Sequence, residues 1–300
     1  MTRLSPELLF DLQRHNIHGC AVSDPFPVSR PDQASYALET DRGPMVIKIY
    51  QFGKGRETFD NMTRLWESRF GEHRSPPGLP RPVAFFEGSN VLVMERLNGY
   101  PMVEQMAPGL DRLPELAGTL ADLHSSEAVF ARRRDAKRTV RSIERKVADL
   151  AGLEVEKRFV RVTSRLLERL PEASSSASHA PVELVPSHGD FSPRNILVSS
   201  RSIAFIDWDR CQLADPARDL AYFGAWCWVM ELSTGRRPDW KSGDELIDQY
   251  QTIRPVPGLM DRIGFYRAVG LARIAHSRIH LWKSEQWVAS ILEEALRWLA

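Results

Sequence analysis

The segment from Ser187 to Leu197, SHGDFSPRNIL, places a carboxylate at Asp190 and an amide at Asn195, five positions apart. Its glycine and proline disfavour a helix, because glycine loses much conformational entropy on ordering and proline removes a hydrogen-bond donor. Two short apolar strands joined by a serine-rich turn follow, and the second ends at Asp207. A hairpin there would bring Asp207 back beside Asn195, which predicts a cluster of oxygen-bearing side chains.

Composition limits the partners of this cluster. The 300 residues, 43% of them hydrophobic, suit one large domain or two unequal ones. Forty basic and 39 acidic residues leave a formal charge of +1, so no overall field favours nucleic acid or a membrane as partner. The three cysteines form no CxxC pair, which argues against disulfides and zinc. Because no signal peptide or membrane-spanning run is apparent, we expect a cytoplasmic protein.

The first third of the chain predicts a small sheet. Residues 19–50 contain three short strand patterns, and the turn Asp41-Arg42-Gly43 joins the last two as a hairpin. Apolar residues at helical spacing predict a helix over residues 56–70, and strands are predicted at residues 83–87 and 91–95. The predicted order is therefore three strands, one helix and two strands.

The rest of the chain predicts mostly helices. Apolar stripes mark long helices at residues 113–124, 140–150 and 155–170, and the chain after residue 220 is also helical. The low-complexity stretch Ala173–Ala180 is predicted to be a mobile surface connection. We therefore predict an α+β fold of two lobes. The predicted boundaries are an N-terminal nucleotide-binding lobe at residues 1–95, a hinge at 96–99 and a catalytic and substrate-binding lobe at 100–300.

The three oxygen-bearing side chains fit phosphoryl transfer. This reaction needs a carboxylate near the acceptor hydroxyl, oxygen ligands for Mg²⁺ and a cation at the nucleotide phosphates. Asp190 is the candidate carboxylate, and Asn195 and Asp207 are the candidate metal ligands. The interval from Asp190 to Asn195 is that of the kinase catalytic loop.

Lys48 is the candidate phosphate cation. It interrupts the apolar strand MVIKIY, where a buried ammonium group requires a partner. Glu57, nine residues later at the start of the predicted helix, is the favoured partner. Asp60 and Glu67 are the alternatives.

The stretches SHGDFSPRNIL, AFIDWDR and DPARDLA, in that order, resemble the aminoglycoside phosphotransferase and choline kinase-like family, small-molecule kinases with a protein-kinase-like fold. The resemblance covers nearly the whole chain. It implies that Asp190 is the catalytic base and that Asn195 and Asp207 bind Mg²⁺. It implies that Lys48 contacts the phosphates of ATP or GTP.

The resemblance also assigns supporting residues. Backbone groups from Glu95 to Leu97 would hold the nucleotide base, and Asp219 would be a buried brace for the catalytic loop. The segment Pro25–Ser35 departs from the family, because its phosphate loop contains prolines and no glycine. That departure favours one alternative, a catalytically silent nucleotide-binding module of the same fold.

Other features bear on the acceptor. Gly189 stands where protein kinases usually carry an arginine, and only eleven residues separate Asp207 from Asp219, too few for an activation segment. We therefore predict a small hydroxyl-bearing substrate. Aminoglycosides, choline, sugars and amino alcohols all fit as acceptors, ATP and GTP both fit as donors, and no oligomeric state is assigned. His188 is interpreted as a core residue, and the basic run Ala131–Arg138 as a solvated helix face.

Overall fold

A computed structural model describes residues 5–18, 21–26, 32–105, 111–152, 157–177 and 182–300. Its N-terminal part is an antiparallel sheet accompanied by two helices, α1 (Pro6–Arg14) and α2 (Gly55–Trp66). The strands are β1 (Ala21–Pro25), β2 (Gln33–Thr40), β3 (Gly43–Tyr50), β4 (Pro82–Phe86) and β5 (Val91–Glu95). They lie in the order β1-β2-β3-β5-β4. The predicted order of strands and helix is confirmed.

The β2–β3 hairpin determines where Lys48 points. Thr40 pairs with Gly43, whose φ of +96° favours glycine at this turn. Successive side chains of a strand point to opposite faces. Ile47 therefore packs in the cluster that contains Leu12 of α1, while Lys48 points to the opposite face of the sheet.

Helices make up most of the remaining chain. They are α3 (Met102–Gln105), α4 (Leu113–His124), α5 (Ala136–Ala151), α6 (Lys157–Ala177), α7 (Ala217–Ser233), α8 (Lys241–Ile253), α9 (Leu259–His280) and α10 (Val288–Arg297). The predicted helix at residues 113–124 is confirmed to the residue. Among the helices described, none is both long and apolar enough to cross a membrane.

The predicted end of the helix at residues 155–170 is wrong. Helix α6 does not end before Pro171 but continues through it to Ala177. The stretch predicted to be a loose connection therefore begins as helix, and residues 178–180 of it lie outside the described residues. Its alanine and serine residues are compatible with helix once the preceding turns are in place, because helix propagation is easier than nucleation.

Two small sheets frame the catalytic segment. Their strands are β6 (Tyr100–Pro101), β7 (Arg133–Arg134), β8 (Val185–Ser187), β9 (Ile196–Val198), β10 (Ile203–Phe205) and β11 (Gln212–Ala214). One sheet has the order β10-β9-β6, and the other β7-β11-β8. The predicted hairpin is confirmed as β9 and β10, with Ile196 opposite Phe205. Residues 188–195 thus run from the end of β8 to the start of β9.

Candidate active site

The catalytic segment is anchored by a buried histidine. The ring of His188 is fully buried, donates from Nε2 to the carbonyl oxygen of Ile206 at 2.8 Å, and lies 4.6 Å from the Trp208 ring. These contacts confirm that His188 is a core residue. They also fasten the segment to the end of the β9–β10 hairpin.

Gly189 has a physical reason to be glycine. Its φ is +74°, and a Cβ at this position would overlap the carbonyl oxygen of Arg210. Only glycine fits both the left-handed backbone and the close approach. Backbone geometry therefore requires the glycine that stands at position 189 in place of the arginine of protein kinases.

Asp190, the candidate base, lies in a basic environment. Its Oδ1 accepts a hydrogen bond from Nη2 of Arg273 at 2.6 Å, and its Oδ2 lies 3.5 Å from Nε of Arg210. Arg273 also donates to the carbonyl oxygen of Gly189 at 2.7 Å. The buried Arg273 thus holds both the backbone and the carboxylate of the segment in place.

The candidate metal ligands are brought together by the hairpin. The N–H of Ile206 donates to the carbonyl oxygen of Asn195 at 2.9 Å, so Asp207 follows directly beside Asn195. The amide nitrogen of Asn195 donates to the carbonyl oxygen of Asp190 at 2.9 Å. Its Oδ1 accepts no hydrogen bond from any described residue. Asp207 has a φ of +65°, a strained conformation of the kind that concentrates at functional sites.

Lys48 joins this cluster from the N-terminal sheet. Its Nζ lies 2.6 Å from Oδ1 of Asp207 and 2.7 Å from Oδ2 of Asp209. Burial alone would lower the pKa of Lys48, but the two carboxylates outweigh it and raise that pKa above its usual value. The ammonium group is therefore charged and fully compensated.

The favoured partner for Lys48 was wrong. Glu57 instead accepts a hydrogen bond from Nη2 of Arg132 at 2.8 Å. The β3 face that carries Lys48 meets Asp207 and Asp209, which follow the β9–β10 hairpin and compensate its charge in place of the start of α2. The role of Glu57 in nucleotide binding stays a prediction.

The backbone at the predicted nucleotide-base site has an open donor at Leu97. The N–H of Glu95 donates to the carbonyl oxygen of Arg81 at 2.9 Å, and the N–H of Arg96 to that of Pro44 at 3.0 Å. The N–H of Leu97 makes no hydrogen bond to the described part of the chain. Of the three N–H groups from Glu95 to Leu97, the one at Leu97 is therefore available to a nucleotide base.

The predicted phosphate loop, Pro25–Ser35, lies partly outside the described residues, which omit 27–31. At its base, Pro25 pairs with Tyr36, and the N–H of Phe26 donates to the carbonyl oxygen of Ser35 at 2.9 Å. The segment thus connects two adjacent strands, as predicted. Its role at the phosphates stays a prediction.

The buried Asp219 holds the start of the catalytic segment in place, as the resemblance implies. It accepts hydrogen bonds from the Ser187 hydroxyl at 2.8 Å, the His188 N–H at 2.8 Å and the Gly189 N–H at 3.0 Å. Burial alone would raise the pKa of Asp219, but the hydrogen bond from His124 and nearby positive charge lower it to about 2. The carboxylate is therefore ionised throughout the range of ordinary assays.

We expect Asp219→Asn to lower the free energy of unfolding by about 2–4 kcal/mol, because an amide turns a donor toward groups that are themselves donors. Urea unfolding at pH 7 measures this loss. Because the folded pKa lies below the unfolded one, the stabilisation is complete above about pH 4 and is lost as the pH falls through 2. The exposed Asp248→Asn is the matched control, and equal urea midpoints for both variants would contradict the assignment.

Sequence reasoning missed two contributors. Asp209 shares Lys48 with Asp207 and also accepts from the Tyr50 hydroxyl at 2.7 Å. Arg273 is 8% exposed and lies in the apolar stretch GLARIA. The argument that identified Lys48, a charge within an apolar stretch, could also have identified Arg273.

Comparison with known proteins identifies the family of this chain. The sequence model of the phosphotransferase enzyme family matches residues 29–256. A choline/ethanolamine kinase family protein from Mesorhizobium loti has a TM-score of 0.64 at 14% identity, with 92% of each chain covered. A choline kinase from Cryptosporidium parvum Iowa II has a TM-score of 0.67 at 14% identity, with 98% of this chain and 93% of that chain covered.

A third similar structure is a spectinomycin phosphotransferase in complex with ADP and spectinomycin. Its TM-score is 0.59 at 14% identity, with 99% of this chain and 98% of that chain covered. Among curated proteins, no sequence matches this chain.

These structures share a kinase-like fold with the chain, which confirms the predicted fold class. The family match covers well over half of the residues. The chain therefore belongs to the phosphotransferase enzyme family, and the predicted enzyme class is confirmed. The predicted lobe boundaries and the roles of individual site residues remain predictions.

Proposed function

We propose that this protein transfers the γ-phosphate of ATP or GTP to a hydroxyl group of a small molecule. Asp190 is the base, Asn195 and Asp207 hold Mg²⁺, and Lys48 contacts the phosphates. One observation carries the proposal above all others. The buried ammonium of Lys48 lies 2.6 Å from Asp207 although 159 positions separate them in the chain.

The residues present fit a magnesium ion. Mg²⁺ prefers oxygen ligands and is usually held by one or two protein groups together with phosphates and water. The Oδ1 of Asn195 accepts no hydrogen bond within the described chain, and 28% of the Asp207 side chain is exposed. When bound, the ion would neutralise charge on the phosphate oxygens. Lys48 supplies a further positive charge beside Asp207.

The proton of the acceptor passes to Asp190. The acceptor oxygen forms a bond to the γ-phosphorus, while the bond between that phosphorus and its bridging oxygen breaks and leaves the nucleoside diphosphate. The hydroxyl proton moves to a carboxylate oxygen of Asp190. Arg273 orients this carboxylate through the hydrogen bond of 2.6 Å from its Nη2 to Oδ1 of Asp190.

A transfer assay tests the proposal. The purified protein is incubated with Mg²⁺, ATP or GTP and a panel of anionic, neutral and cationic alcohols, and phosphorylated products are detected by mass spectrometry. We expect a phosphate ester with at least one class of alcohol and none with Asp190→Asn. Nucleotide binding by calorimetry without transfer to any alcohol would instead support the catalytically silent module.

A further inference from the structure

A cationic cavity lies directly beside Asp190. Water-sized groups can occupy about 50 Å³ of it, and Gly189 forms part of its wall. Five cationic side chains line it, from β7, α5, the segment between β10 and β11, α7 and α9: Arg134, Lys146, Arg210, Arg218 and Arg273. Among the described residues that line it, there is no aspartate or glutamate. On a chain with a formal charge of +1, this is a strong local concentration of positive charge.

The cavity has more positive charge than its protein neighbours compensate. Arg273 is paired with Asp190, and Arg134 donates to the side-chain oxygen of Gln212 at 3.2 Å. Nη1 of Arg218 is buried and makes no hydrogen bond to any described residue. A buried charged donor without an acceptor is costly, and a bound anion would remove that cost.

The cations repel one another. Burial and the charges of Arg273 and Arg134 lower the pKa of Arg218 to about 9. The pKa of Lys146 is also lowered, mainly by burial and to a smaller extent by the charges of Arg210 and Arg273. A negative group among these side chains would be attracted by each of them.

The approach to the cavity is also basic. A wider depression, in which water-sized groups can occupy about 550 Å³, shares Arg134 and Ser142 with the cavity. Its remaining lining comes from α5: Arg138, Arg141, Glu144 and Arg145. Positive charge along an entrance raises the local concentration of anions and their association rate.

We propose that the acceptor is a hydroxyl compound that carries a phosphate or carboxylate group, bound in this cavity by Arg218, Lys146 and Arg134. This inference rests on the phosphotransfer proposed above. Two cations of the cavity, Arg210 and Arg273, contact Asp190, so an anion held deeper in the cavity places the rest of its molecule next to the base. The same lining disfavours choline and other cationic acceptors, because like charges across a binding site repel.

Calorimetry with matched probes tests the charge of the ligand. Glycerol 3-phosphate, glycerate, glycerol and choline are titrated at low ionic strength, where electrostatic attraction is least screened. We expect at least one anionic probe to bind at least about tenfold more tightly than glycerol, as expected for charge-assisted hydrogen bonds. The two anions distinguish a phosphate from a carboxylate site. Equal binding of all four probes, or tighter binding of choline, would overturn the inference.

Two variants locate the binding in the cavity. Lys146→Met and Arg218→Met should each weaken the anionic probe by about tenfold and leave the Kd of Mg-ATP within about twofold of wild type. Because Arg218 is largely enclosed, Lys146→Met on α5 provides an independent test if Arg218→Met does not fold. Arg161→Met is the control, because it removes one positive charge at an exposed position of α6. It should change neither the affinity for the anionic probe nor that for Mg-ATP. If all three variants lost the same affinity for the anionic probe, overall charge rather than the cavity would explain the binding.

Turnover separates this inference from the proposed function. Preferential phosphorylation of an anionic alcohol supports both. Preferential phosphorylation of choline or an aminoglycoside supports the phosphotransfer and overturns the anionic acceptor. Absence of transfer to every alcohol, with anion binding intact and sensitive to Lys146→Met, overturns the phosphotransfer and retains the anion site.

Discussion

Asp190→Asn should lower kcat by a factor of about 10² to 10⁴ and leave the affinity for Mg-ATP close to that of wild type. The amide has nearly the same shape as the carboxylate but cannot accept the acceptor's proton, and removal of a general base has an effect of this size. Steady-state turnover with the best alcohol of the panel gives kcat, and calorimetry gives the Kd for nucleotide.

The surroundings of Asp190 make the control important. Asparagine leaves the buried Arg273 without its carboxylate partner at 2.6 Å, so some stability is lost as well. Circular dichroism at the assay temperature shows whether the variant is folded, and Asp248→Asn on the exposed face of α8 controls for the lost charge. If turnover of Asp190→Asn stays within about threefold of wild type, Asp190 is not the base. Parallel loss of nucleotide binding would assign Asp190 to the nucleotide site instead.

Local sequence patterns predicted the scaffold of this site well. The strand that carries Lys48 and the hairpin that carries Asp207 both depend on residues within about ten positions of one another, and both are confirmed. The need of Lys48 for a buried partner also follows from its apolar strand. Burial patterns and turns of this kind involve residues close together in the chain, so they can be predicted from a single sequence.

The identity of partners depends on long-range packing. Lys48 reaches Asp207 and Asp209 across 159 and 161 positions, whereas the prediction chose Glu57, nine positions away. Nothing in the local pattern around either carboxylate distinguishes it from Glu57 as a partner. Only the docking of the N-terminal sheet onto the hairpin does so.

The cationic cavity could not be predicted for the same reason. The run Ala131–Arg138 was interpreted as a solvated helix face, but Arg133 and Arg134 form β7 and α5 begins only at Ala136. Arg134 meets Arg218 and Arg273 because β7, α7 and α9 converge on the catalytic segment. Each arginine by itself looks like an ordinary charge, and the excess is visible only in their arrangement.

Asp207→Asn should weaken Mg-ATP binding by at least about tenfold, because the strongest proposed oxygen ligand loses its charge. Asparagine suits the left-handed backbone at φ +65°, which alanine would strain, so the change isolates the carboxylate. The variant also removes one of the two partners of Lys48, and a control must separate that effect.

Asp209→Asn is that control. It removes the other partner of Lys48, at 2.7 Å, but is not a proposed metal ligand. Calorimetry of ATP with Mg²⁺ and with EDTA distinguishes the two roles. Asp207→Asn should abolish most of the gain in affinity that Mg²⁺ provides, whereas Asp209→Asn should change the affinity to a similar extent with and without the ion. If wild type and Asp207→Asn bind Mg-ATP equally, Asp207 does not hold the metal. If both variants lose affinity equally with and without Mg²⁺, Asp207 acts through Lys48 alone.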